Sequence, residues 1–107
     1  MSRAVYIAGK VSGLPKHVYT ANFAKVEGML RNMGYEVINP VRLVVDNELE
    51  EASYDEIMEY LLRIIRTMAG AIVMLPDWVD SDGAKAERKL ALELELPIFY
   101  YNNEKHI

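Results

Sequence analysis

The chain has 107 residues, about half of them hydrophobic, with a formal net charge of -4 and no cysteine. That length forms one core, so one domain spanning 1–107 is expected. The acidic balance argues against a nucleic-acid polymer or a membrane surface as partner, because both select basic faces, whereas a single nucleotide needs only a local pocket. Lack of cysteine removes disulfides, thiolate metal sites and thiol nucleophiles. The apolar run in MSRAVYIAGK is too short for a secretory signal and no segment approaches a membrane span, so a cytoplasmic protein is expected.

Ala4–Ala8 reads as a buried strand, and the glycines, serine and proline of Gly9–Pro15 read as a loop. From Thr20 to Met33 the residues Phe23, Val26, Leu30 and Met33 recur at helical spacing, and Gly34 sits where a helix stops. Tyr35–Ile38 is a second strand closed by Asn39-Pro40. Val41–Ala52 reads as a long acidic connection, its charges solvated. Ser53 and Glu56 form a capping box for a helix whose buried stripe is Ile57, Leu61, Ile64, Ile65 and Met68, with Gly70 ending it. Ala71–Leu75 is a third strand, Pro76–Gly83 a loop, Gly83 to about Glu95 a third helix, and Pro97–Tyr101 a last strand.

The alternation is βαβαβαβ. Right-handed crossovers then favour a small Rossmann-like (flavodoxin-like) α/β domain in three layers, with a parallel sheet of about four strands in the order 2-1-3-4. Ligands of such sheets bind beyond the carboxyl ends of the strands where the order reverses. Here that crevice falls between strands one and three, walled by Gly9–Pro15, by Pro76–Gly83 and by the start of the third helix.

One residue breaks the pattern. At about 100° per residue, Ala84, Leu90, Ala91 and Leu94 lie within roughly 60° of Glu87, which puts a carboxylate in the middle of an apolar stripe. Such a group must be paired, hydrogen-bonded or used. The structural alternatives are a helix cap, or a salt bridge to Lys10, Lys85 or Arg3. A cap fits poorly because position 84 is alanine and Asp82 as cap would leave Glu87 too far along. The helix dipole favours its ionised form and burial opposes it; an ionised carboxylate in a drying pocket suits nucleophilic attack on a sugar carbon.

The segments VYIAGKVSGLP, GYEVINP and IVMLPDW with SDGAKAERKLAL resemble a family of small phage and bacterial proteins similar to nucleoside 2-deoxyribosyltransferases and 2'-deoxynucleoside 5'-monophosphate N-glycosidases. The most specific piece is Gly83-Ala84-Lys85-Ala86-Glu87 with Ala91. The resemblance implies that Glu87 attacks the anomeric carbon and forms a glycosyl-enzyme intermediate, which water or a second base resolves. It places Tyr6 beside the nucleophile, Ser81 near a 5'-phosphate, and Gly9, Ser12 and Gly13 in a phosphate-wrapping loop to which Lys10 adds charge. Lys10 stands where the family usually has proline. Leu62 and Gly70 stand where relatives commonly have aspartates, so proton delivery would fall to Asp77, Asp80, Asp82 or water. These three aspartates are otherwise loop and cap residues, and Tyr6 otherwise a packed aromatic.

Trp78, in the loop after the third strand, is placed to stack on a base or to cover the core. His17 and His106 stand alone, so no metal site is read, and no cofactor is needed. Met58 and Met68 read as core filling. The expected ligand is a nucleoside or nucleotide, and the resemblance implies a homo-oligomer, dimer or tetramer. The rivals to an N-glycosidase or deoxyribosyltransferase are a non-catalytic nucleotide- or metabolite-binding module and an accessory protein with a vestigial crevice.

Overall fold

Alternation along the first strand sets the layering. In β1 (Ala4–Ala8), Val5 and Ile7 pack on one face of the sheet while Tyr6 and Ala8 pack on the other, all four buried. The computed structural model describes residues 3–102; His106 and the rest of the polar tail beyond Asn102 lie outside them. Within that span β1 is joined by β2 (Val37–Ile38), β3 (Ala69–Met74) and β4 (Ile98–Tyr100) in one all-parallel sheet ordered β2-β1-β3-β4, the order expected from the crossovers. Helix α1 (Lys16–Asn32) covers the Val5 and Ile7 face through Phe23, Val26 and Leu30. Helices α3 (Tyr54–Met68) and α4 (Asp82–Glu93) cover the Tyr6 face through Ile65, Ala84, Leu90 and Ala91.

Helix α2 (Pro40–Asp46) is a departure from expectation, since 41–52 reads as a loop. The Asn39-Pro40 pair that closes β2 also opens this helix. Asn39 accepts from the Val41 N–H at 3.0 Å as N-cap, and Pro40, with its fixed φ and missing donor, fills the first helical position. Other boundaries shift for similar local reasons. Helix α1 starts at Lys16, four residues before Thr20, because Pro15 fixes its entry and its carbonyl accepts from Val18 and Tyr19. Pro76–Asp80 is a turn of 3-10 helix rather than an open loop.

Gly70 does not end α3. The chain passes straight into β3 at Ala69, and Gly70 lies in the strand where a Cβ would come within 2.7 Å of the Arg3 Cβ. At the ends of the apolar stripes Met33, Met68 and Leu94 are exposed rather than packed, each standing at the C-terminal end of its helix.

Helix C-termini use one device three times. After α1, Gly34 at φ 94° lets its own N–H reach the Arg31 carbonyl and the Tyr35 N–H reach Leu30. Glu48 (φ 57°) after α2 and Glu95 (φ 58°) after α4 adopt the same left-handed turn with the same pair of hydrogen bonds. A side chain in that region is disfavoured by about 1 kcal/mol relative to glycine. Glu95→Gly is therefore expected to raise stability by roughly 1 kcal/mol in urea unfolding; a decrease would show that the Glu95 side chain offsets its backbone strain.

Candidate functional site

A cavity of about 460 Å³ opens beyond the carboxyl ends of β1 and β3. Gly9 and Ser12 line it from the loop after β1, and Asp80, Ser81, Asp82 and Gly83 from the entry to α4. These are the two walls expected from topology. Two further walls carry no motif: Val41, Val44 and Val45 from α2, and Tyr54, Ile57 and Met58 from α3. The three valines lie at helical spacing, the one signal that could have revealed α2 as an amphipathic lid to the cavity.

Glu87 lines this cavity although it is only 4% exposed. Its Oε2 accepts from the Tyr6 hydroxyl, across from β1 to α4. The other oxygen makes no hydrogen bond to the described residues, yet it is not sealed in the interior, so it faces the cavity. None of the structural alternatives applies. Ser81 is the cap of α4, its Oγ accepting from the Ala84 N–H at 3.1 Å, and no cation among the described residues pairs with Glu87. Arg3 instead donates to the Thr67 carbonyl.

The protein contains a built-in contrast. Glu27 is equally buried, at 6% exposed, but Arg31, Arg42 and Asn39 all donate to it at 2.7–3.0 Å. Burial would raise its carboxyl, and the hydrogen bonds from Arg31 and Asn39 with the Arg42 charge outweigh that, holding it below the usual range. Glu87 has no such help. Burial pushes its carboxyl up to about 8, and the Tyr6 hydrogen bond only partly opposes the rise. Burial and the neighbouring Glu87 likewise raise the Tyr6 phenol well above its ordinary value. Burial thus keeps Glu87 mainly protonated at neutral pH. Of the two opposing effects burial prevails: α4 starts five residues before Glu87, its first turn already carries Asp82, and the remaining dipole does not offset burial.

The other expected residues divide. Lys10, Gly13, Asp77 and Trp78 do not line the cavity. The Lys10 N–H donates to Asp77 Oδ1 at 3.1 Å, latching the loop after β1 to the turn after β3. Gly13, at φ 87°, lies in the turn closed by the Leu14 N–H on the Val11 carbonyl. Gly9 sits against Leu75, whose side-chain atoms would lie 2.5–2.9 Å from a Cβ placed there. Trp78 packs on the core beside Tyr100, with the Arg88 guanidinium 4.8 Å from its ring centre, and offers no face to the cavity. Leu62 packs on the core and Gly70 lies in the sheet, so neither of these two positions faces the cavity.

Sequence reasoning passed over Lys16 and Tyr54. Lys16 is the one basic side chain among the described residues lining the cavity, and its Nζ lies 2.9 Å from Glu50 Oε2 across the mouth. The Tyr54 hydroxyl stands 3.3 Å from the position a Gly83 Cβ would take. Burial, followed by the charges of Asp82, Glu87 and Asp55, raises its phenol. Among the described residues no group of His, Cys, Asp or Glu is arranged to hold a metal ion, and no helix is long and apolar enough to cross a membrane.

A parallel α/β sheet with a buried carboxyl at its switch-point cavity is the frame into which the comparisons fit. Residues 3–100 match the family model described as a domain of unknown function, DUF4406, and the chain belongs to that family. No curated protein and no solved structure matches it.

The raised Glu87 carboxyl has a defined effect on stability. The folded state holds this proton more tightly than the unfolded chain, so its contribution is complete below the ordinary value of 4.5 and is lost as pH rises through about 8. The full span is at most about 5 kcal/mol. In urea unfolding, the stability of wild type minus that of Glu87→Gln is expected to fall by several kcal/mol between pH 5 and pH 8.5. Parallel profiles would show that Glu87 titrates normally.

Proposed function

We propose that the protein is an N-glycosidase or deoxyribosyltransferase acting on a nucleoside or nucleoside 5'-monophosphate, with Glu87 as nucleophile. The observation that carries this is a nearly buried carboxyl with one oxygen held by Tyr6 and the other facing a cavity that can take a nucleoside. The resemblance of the Gly83–Glu87 segment to the deoxyribosyltransferases points to the same residue.

In this mechanism Tyr6 fixes the carboxyl plane and the free oxygen of Glu87 attacks the anomeric carbon as the bond to the base breaks. The base leaves with the bonding pair and takes a proton from water, Asp80 or Asp82, both of which line the cavity. Water or a second base then attacks the glycosyl ester from the opposite side, giving net retention. Holding the carboxyl on a helix and its partner on a central strand gives the fixed geometry such displacements require. Ser12 and Ser81 are the hydroxyls within reach of the sugar's 5' end.

The nucleophile must be ionised, and with the carboxyl raised to about 8 roughly one molecule in ten carries the anion at pH 7. A binding module of the same fold is the rival, favoured by that low fraction. Chromatography of free base released from a panel of nucleosides and nucleotides separates the two. Release is expected, with kcat/KM rising as pH increases through about 8. Glu87→Gln is expected to lower kcat by about a thousandfold or more, and Tyr6→Phe by roughly ten- to a hundredfold. Saturable binding across the panel with no base released selects the binding module.

A further inference from the structure

The charge around the cavity narrows the substrate class. Among the described residues, the acids lining the cavity beside Glu87 are Glu50, Asp80 and Asp82, and the only lining cation is Lys16, already paired with Glu50 at 2.9 Å. An excess of two carboxylates, from Asp80 and Asp82, is left without a partner cation among the described residues. Of the groups expected around a phosphate, the Lys10 N–H is engaged on Asp77, and neither Lys10 nor Gly13 lines the cavity. Asp82 occupies the first turn of α4, where an anion would otherwise seat. The acids alone would define no site. The independent mark of a ligand is Glu87, 4% exposed, with its unpartnered oxygen turned into the same hollow.

Resting on the glycosidic function proposed above, we infer that the preferred substrate is an unphosphorylated N-glycoside whose base already carries a positive charge, such as a pyridinium or N7-alkylated purine nucleoside. Three requirements are met together. Asp80 and Asp82 attract the cationic base. No acid is needed for departure: Glu87 bonds to the anomeric carbon as the carbon–nitrogen bond breaks, and the bonding pair neutralises the ring nitrogen, so the base leaves uncharged. Water then adds to the anomeric carbon, Glu87 is released as carboxylate, and the water's proton passes to solvent. A cation seated beside Glu87 also favours its ionised form, so the arriving substrate helps to generate the nucleophile it needs.

The test uses nicotinamide riboside, a pyridinium nucleoside, against its 1,4-dihydro form, which is nearly the same shape and uncharged. Calorimetry with Glu87→Gln measures binding without turnover. The cation is expected to bind at least about tenfold more tightly, equivalent to one modest charge interaction. Asp80→Asn with Asp82→Asn is expected to bring the two within about twofold, and the 5'-phosphate of the cation is expected to bind more weakly than the cation itself. Equal or tighter binding of the neutral form, or tighter binding of the phosphate, overturns the inference. With wild type, Glu87-dependent release of base from neutral nucleosides as fast as from the cation also overturns it while leaving the glycosidase intact. Selective binding of the cation with no base released overturns the glycosidase and leaves the charge preference standing.

Discussion

A carboxyl group taken out of water with only a phenol for company is the constraint around which this small fold is arranged. Tyr6 lies in the central strand and Glu87 in the last helix, and their hydrogen bond ties the Tyr6 layer of the core to the floor of the cavity. Glu27 shows what the same chain does with a buried carboxyl that serves structure. Two arginines and an asparagine satisfy both oxygens and keep the anion. Glu87 receives one donor, and burial holds its proton. A fully satisfied acid contributes to packing, whereas a half-satisfied one beside a hollow stays available to a ligand.

The scaffold makes that availability orderly. Both members of the pair sit on regular elements, and the loops that frame the cavity are pinned rather than loose. Lys10 and Asp77 join the two walls through a backbone hydrogen bond, and the close approach of Gly9 to Leu75 brings the first loop down against the turn after β3. The roof is a different construction. Helix α2 presents Val41, Val44 and Val45 to the cavity, and the Lys16–Glu50 pair spans its mouth with both side chains about half exposed or more. An exposed pair of this kind is weakly held, so the mouth is the part of the site most easily remodelled by a ligand.

Much of this was legible in the residues. Runs such as Ala4–Ala8 and the helical stripes set the strand and helix order, and right-handed crossovers left the 2-1-3-4 sheet as the choice. Glu87 stood out because a charge in the middle of an apolar stripe contradicts its surroundings. Which of burial and the helix dipole prevails there is not legible in the residues, because a helical wheel shows direction and says nothing of how dry the destination is. Helix α2 escaped notice because Asn39-Pro40 serves equally as a strand stop and as a helix start, and the acids that follow drew attention from the three valines. Trp78 and Asp77 fell on the correct loop and served other ends, Trp78 packing beside Arg88 and Tyr100, Asp77 latching Lys10. A loop's position is set by topology; which way its side chains turn depends on partners distant in sequence, such as Tyr100 and Lys10.

The central claim is that Glu87 bonds to the sugar. Trapping tests it most directly: wild-type protein is incubated with a 2-fluoro pentosyl pyridinium, whose fluorine slows the second displacement, and the digested chain is mapped by mass spectrometry. The account predicts one added pentosyl group, carried by Glu87 and absent from Glu87→Gln. Release of pyridine with no adduct, or an adduct on another side chain, would contradict it.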